Sequence, residues 1–268
     1  MTERYTFDDL KTLMSRLRDP QDGCPWDLDQ SYRTIVPHTL EEVYEVIDTI
    51  EREDYQHLRE ELGDLLFQIV FYAQIASDED RFNLDDVVHD LVTKLIFRHP
   101  HVFPAGTLES RVGDQSMTAS GVEGQWDALK TKEKPERTSV LSDVPMALPG
   151  LLRARKLQSR AAKVGFDWPD IQGVIDKAHE ELDELKEALQ QGNSRNIESE
   201  LGDLLFVLAN LARHSDVDPE QAIRSTNAKF ERRFGFVEAE VTRSQRDWSD
   251  FSLEALDAFW QQAKEDGL

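Results

Sequence analysis

The chain is poor in three things: it has one cysteine in 268 residues, no apolar run of membrane-spanning length, and too few basic side chains to balance its acids. Cys24 alone cannot close an intramolecular disulfide or build a thiolate-rich zinc site, and it reads as a small packing residue. No window approaches the roughly 18 uninterrupted apolar residues of a membrane helix. The opening MTERYTFDDL lacks the basic and apolar regions of a signal peptide, so the expectation is a cytoplasmic protein with no membrane partner. Against 53 Asp and Glu stand 31 Lys and Arg, a formal charge of −22. A surface of that sign repels a polyphosphate backbone, which argues against nucleic acid as a partner. Phosphorylated small molecules stay within reach, provided divalent cations stand between the protein's carboxylates and the ligand's anionic oxygens.

Strand signals are also nearly absent, and what is present is helical and repeated. TLEEVYEVIDTIEREDYQHLREELGDLLFQIVFYA (39 to 73) matches AHEELDELKEALQQGNSRNIESELGDLLFVLANLA (178 to 212) at an offset of 139, with LGDLLF identical in both. Further along, KLIFRHPHVF from Lys94 matches KFERRFGFVE from Lys229 at offset 135, and Trp126 with Lys130 matches Trp260 with Lys264 at offset 134. Small deletions account for the drift. Pro-, Gly-, Ser- and Thr-rich stretches at 104 to 121 and from 135 read as a loop in the first copy and as the linker. The expected domains are 1–134 and 145–268, joined by a linker at 135–144. Leu40, Val43, Ile47 and Ile50, and again Leu201, Leu204, Leu205 and Leu208, recur at helical spacing. GNSRN at 192 to 196 breaks the second pattern, and Asp54 is placed to cap the matching helix of the first. Each copy is thus a helical hairpin with further helices, and two hairpins supply a four-helix core, either between the copies or between two chains.

The hairpin carries acids at fixed spacing: Glu-x-x-Glu, 15 residues, then Glu-x-x-Asp. These are Glu42, Glu45, Glu61 and Asp64 in copy one, and Glu181, Glu184, Glu200 and Asp203 in copy two. Residues three apart share a helix face. Glu184 and Glu200 each lie about eight residues from the break, or about 12 Å along their helices, so antiparallel packing aims all four carboxylates into one space. Such a cluster repels itself unless a cation or protons intervene. Hard oxygen ligands favour Mg²⁺ or Mn²⁺ over zinc. Asp64 and Asp203 interrupt apolar runs, and Gly63 and Gly202 beside them cost about 1 kcal/mol each against Ala unless a close backbone approach requires them. Di-iron bundles also hold acids among four helices but use Glu-x-x-His, and no histidine here lies three residues after a Glu.

GCPWD (23 to 27), TLEEVYEV (39 to 46), both ELGDLLF segments, RRFGFVE against RHPHVF, and KVGFDW (163 to 168) together resemble the MazG family of nucleoside triphosphate pyrophosphohydrolases, over almost the full length. The expected fold is all-α, two tandem MazG-like units, and dimerisation as a homodimer is the expected way to complete the four-helix cores. The resemblance implies cleavage of nucleoside triphosphates, ribo or deoxy and of broad base specificity, between the α and β phosphates to give a monophosphate and pyrophosphate. Mg²⁺, with Mn²⁺ as a substitute, would be held by Glu181, Glu184, Glu200 and Asp203. These four are the expected catalytic and metal residues, with Glu42, Glu45, Glu61 and Asp64 as a second set. Substrate contacts carry over to Lys177, Asn227, Lys229, Arg233 and, for the base, Trp260.

Copy two has Lys177, Lys229, Arg232 and Arg233 where copy one has His38, Lys94, Phe97 and Arg98. The loss of positive charge from copy one places the main activity in copy two. The competing expectation is a regulatory module that binds nucleotide without hydrolysing it.

Overall fold

A computed structural model describes residues 4–111, 139–142 and 144–268. Trp126, Lys130, residues 112–121 of the expected loop and residues 135–138 and 143 of the linker stretch lie outside them. The chain divides into two compact units, Met1–Pro135 and Glu136–Leu268, and among the described residues every regular element of both is a helix.

The first unit comprises α1 (Phe7–Leu17), α2 (Pro25–Asp29), α3 (Tyr32–Glu51), α4 (Tyr55–Asp78) and α5 (Leu84–Arg98). Polar caps start these helices: Thr6, Ser31 and Asn83 each close a capping box, and Asp54 accepts from the His57 amide. α3 and α4 form the hairpin, and α1 and α5 pack on α4. The core lies along α4, where Val70, Phe71, Ala73 and Ile75 meet Met14, Ile35 and Leu84. Arg18 ties the pieces together. Its Nε donates to Asp78 at 2.7 Å, its Nη1 reaches the Asp27 carbonyl, and its guanidinium lies 5.5 Å from the Phe71 ring centroid.

The second unit comprises α6 (Gly150–Ala162), α7 (Ile171–Gln191), α8 (Ser194–His214), α9 (Pro219–Arg243), a single 3₁₀ turn at Trp248–Asp250, and α10 (Leu253–Glu265). Here α7 and α8 are the hairpin, α6 packs on α8 and α9, and α10 on α9. The two hairpin turns coincide at offset 139. Glu53 and Gly192 both take positive φ, 56° and 66°, and the next residue, Asp54 or Asn193, caps the second helix. Gly192 adopts this conformation freely, whereas Glu53 does so against a steric cost of about 1 kcal/mol. The drift in the repeat is also localised. α4 has 24 residues and α8 has 21, so the offset falls to 136 at the positive-φ residues Asp80 and Asp216, then to 135 at the caps Asn83 and Asp218.

One expectation about LGDLLF needs correction. Leu62, Leu201, Leu205 and Phe206 are about half exposed in the single chain, whereas Leu66 and Phe67 of the first copy pack against its core. A Cβ on Gly63 or Gly202 would meet no described atom within 4 Å, so no close backbone approach within the chain requires glycine there. In unit two the core is built mainly from small side chains on other faces, among them Ala154, Val174, Ala188, Ala209, Val237 and Ala263, which leaves Leu201, Leu205 and Phe206 uncovered.

Between α6 and α7 the chain is pinned by Asp167, whose carboxylate accepts from the Arg213 guanidinium and, at 3.1 Å, pairs with His214 Nε2. Burial pushes this carboxyl upward in pKa, but the hydrogen bonds from Arg213 and His214 outweigh it and hold the group below the ordinary carboxylate value. Its contribution to stability is therefore present above the unfolded value near pH 4 and is lost as pH falls through the lowered folded value. Asp167→Asn is expected to lower thermal stability at pH 7 by about 1–3 kcal/mol, with the gap from the parent closing below about pH 4. Melting curves of both proteins across that range check it, and a gap that does not narrow as pH falls refutes it.

Candidate active site and metal centre

The hairpin brings its acids together in both units. In unit two, Glu181 and Glu184 project from α7 and Glu200 from α8, and one carboxylate oxygen from each lies within 4.8 Å of the others. Glu181 is 5% exposed, Glu200 is half-buried and Glu184 faces solvent. Asp203, a turn beyond Glu200 and shorter by one methylene, is exposed and stands outside this group of three. In unit one Glu42, Glu45 and Glu61 form the equivalent group, and Asp64 is a charged neighbour of Glu42 and Glu61.

The electrostatics follow from the packing. Lost hydration, and then repulsion from Glu181 and Glu200, raise the Glu184 carboxyl above its ordinary value, with Lys177 opposing. In unit one, lost hydration and the neighbouring carboxylates raise Glu42 and Glu61. Lys177 lies one turn before Glu181, and its Nζ sits 2.8 Å from both Glu180 and Glu181. Those two contacts raise its pKa and keep it cationic. The buried acid is thereby compensated by a cation on its own helix. The donor set, all carboxylate oxygens with no sulfur or imidazole among the three, suits a hard divalent ion.

The remaining expected substrate residues fall on α9 and α10. Arg233 Nε donates to the Leu268 carbonyl at 2.7 Å, and its guanidinium lies 5.8 Å from the Trp260 ring centroid. Trp260 packs at 5.2 Å against Phe230, and Asn227 and Lys229 are exposed on the same helix as Arg233. So Lys177 joins the acids and Arg233 joins Trp260. Among the described residues no hydrogen bond or ion pair links the two groups.

A helical hairpin closing on three carboxylates, present twice in one chain, defines an all-α class built around acid clusters. A family model for the MazG nucleotide pyrophosphohydrolase domain matches residues 30–103 and 171–235, which span both hairpins. The chain is 46% identical over 262 residues to a protein of Escherichia coli strain K12 named nucleoside triphosphate pyrophosphohydrolase, covering 96% of this chain and 97% of the relative. It is 40% identical over 259 residues to the Thermotoga maritima protein named nucleoside triphosphate pyrophosphohydrolase/pyrophosphatase MazG, covering 96% and 95%. A Mycobacterium tuberculosis protein named nucleoside triphosphate pyrophosphohydrolase shares 36% identity over 160 residues, covering 59% of this chain and 45% of the relative. The chain belongs to the MazG family.

Proposed function

We propose that this chain is a cytoplasmic, Mg²⁺-dependent pyrophosphohydrolase that converts nucleoside triphosphates, with ribose or deoxyribose and broad base tolerance, to monophosphates and pyrophosphate. The reading rests on Glu181, Glu184 and Glu200 placing oxygens within 4.8 Å of one another inside a segment matched by the family model. Domain 145–268 carries the main activity, domain 1–134 is weakly active or structural, and 135–144 links them. Bound Mg²⁺, with Mn²⁺ as a substitute, supplies charge neutralisation on the phosphate oxygens and acidification of water. Glu181, Glu184, Glu200 and Asp203 would hold it, and one of these carboxylates would accept the proton of the attacking water. Lys177, Lys229 and Arg233 would meet the phosphates, with Asn227 beside them and Trp260 against the base.

The test is a product assay over several triphosphates with and without Mg²⁺. Pyrophosphate and monophosphate in equal amounts, only with the metal, are expected. Tight binding without pyrophosphate release would instead make the chain a nucleotide-binding regulatory module.

The chain further acts as a homodimer. Leu182, Leu201, Leu205 and Leu208 on the hairpin are exposed, and an apolar face of this kind is covered by another hairpin in a four-helix core. Sedimentation at micromolar concentration should give twice the chain mass for the parent and a shift to monomer for Leu205→Glu. A parent that sediments as a single chain, or a variant of unchanged mass, removes this reading.

A further inference from the structure

α10 ends in a reversal of the chain. Gly267 takes a positive φ of 81°, its amide donates to the Lys264 carbonyl at 3.1 Å, and the Leu268 amide reaches back to the Ala263 carbonyl at 3.0 Å. These two bonds around one left-handed residue are those of a Schellman stop, which glycine closes without strain. A Cβ on Gly267 would meet no described atom within 4 Å, so it is the backbone conformation and not the space that asks for glycine. The turn is anchored inside the unit, because Ala263 is fully buried.

The reversal aims the Leu268 carbonyl at α9, where it accepts from Arg233 Nε at 2.7 Å across 35 residues of sequence. The same guanidinium lies 5.8 Å from the ring centroid of Trp260, which is itself carried on α10 and packed on Phe230. One helix thus grips Arg233 twice, at Nε through its last turn and at its flat face through the indole. Among the described residues, the bond from Nε is the only hydrogen bond that Arg233 makes, and no carboxylate pairs with it. A guanidinium holds a phosphate through a pair of N–H groups in a rigid fork. With Nε committed to Leu268, the fork left open is the Nη1 and Nη2 end.

We propose that Gly267 and Leu268 are positioning residues for the reaction: the turn they form holds the Nη1 and Nη2 end of Arg233 toward a phosphate of the bound triphosphate. This rests on the reading of Arg233 as a phosphate contact. An arginine side chain left free has several rotatable bonds to fix on binding, and a group ordered beforehand spares the ligand that cost. The turn therefore acts on affinity, and its loss raises KM while leaving kcat in place.

The experiment measures kcat and KM for ATP with Mg²⁺ in the full chain. It compares the parent, Gly267→Val, Gly267→Asn, Arg233→Met and the double variant of Arg233→Met with Gly267→Val, with circular dichroism as a check on folding. Valine resists positive φ, whereas asparagine tolerates it. KM should rise about fivefold in Gly267→Val with kcat within about twofold of the parent, and Gly267→Asn should keep the parental KM. In the Arg233→Met background the valine should add less than about twofold, because Gly267 acts through Arg233. A turn that only stabilises α10 would instead cost the same in both backgrounds. Gly267→Ala, with a milder strain, carries the same comparison should the valine variant fail to fold. Equal KM in the valine and asparagine variants, a fall in kcat at unchanged KM, or an undiminished valine effect without Arg233 would overturn the proposal. An active parent that shows any of these sinks the positioning alone. In a parent that releases no pyrophosphate, equilibrium dialysis of ATP replaces KM: the same pattern of affinities sinks the reaction and spares the turn, and its absence sinks both.

Discussion

Glu200→Gln is expected to reduce pyrophosphate release about a thousandfold, equivalent to the several kcal/mol of charge stabilisation that a bound cation contributes. Glutamine keeps the shape of the side chain and removes its charge. Glu200 is a half-buried member of the group of three, and the hairpin's second helix is capped by Asn193 and not by Glu200. Far-UV circular dichroism should therefore be unchanged while turnover collapses. The matched substitution in unit one, Glu61→Gln, should leave turnover within about twofold, because that copy has His38 and Phe97 where unit two has Lys177 and Arg232. A Glu200→Gln protein that keeps a tenth of the parent rate, or a Glu61→Gln protein equally crippled, would show that the catalytic burden is not placed where the charges suggest.

Lys177→Met should have two separable effects. Without metal, Glu181 is buried and loses the ammonium 2.8 Å away. Leaving a buried charge without its partner destabilises a fold by about 1–3 kcal/mol, here discounted because Lys177 is itself partly open to water. With Mg²⁺ present the cation serves Glu181 instead, and most of the loss in melting temperature should be recovered. Activity should not recover: the kcat/KM ratio is expected to stay about a hundredfold low, the scale on which one preorganised positive group matters to a developing anion. The raised Lys177 pKa fixes the sign of any pH effect. Its stabilisation is complete below the unfolded lysine value near 10.4 and is lost only as pH rises through the higher folded value, so between pH 6 and 9 the metal-free difference should be flat. A metal-independent difference in melting temperature would show that Lys177 supports the helix and not the acid cluster.

The hairpins, their turns and the grouping of the acids could be read from the sequence because they depend on local rules. Periodicity places α3, α4, α7 and α8, Gly192 and Asn193 mark one turn, and Asp54 marks the start of the other. Spacing of three within each pair puts Glu42 with Glu45, and Glu181 with Glu184, on one face. The pairing of Lys177 with Glu181 was also open to sequence reading, as a lysine four residues before a glutamate, although the resemblance directed that lysine toward phosphate. What local pattern could not supply was contact between distant segments. Nothing near Asp167 announces Arg213 and His214, some 46 residues on, and Gly173 beneath the ring of Trp168 is one more small residue in an unremarkable helical stretch. The exposure of one face of LGDLLF was beyond reach for a related reason. Periodicity shows that a helix has an apolar face, but not whether the same chain covers it.

The tight turns at Glu53 and Gly192 join helices that are consecutive in the chain, so each acid cluster is assembled from residues fewer than 25 positions apart. Contacts so close in sequence form quickly and need no distant segment to be in place. During synthesis the first hairpin can therefore close while its counterpart is still being translated, each half maturing in the order in which it leaves the ribosome. Two similar stretches in one polypeptide would otherwise be prone to exchanging partners, and early local closure keeps each with its own neighbour.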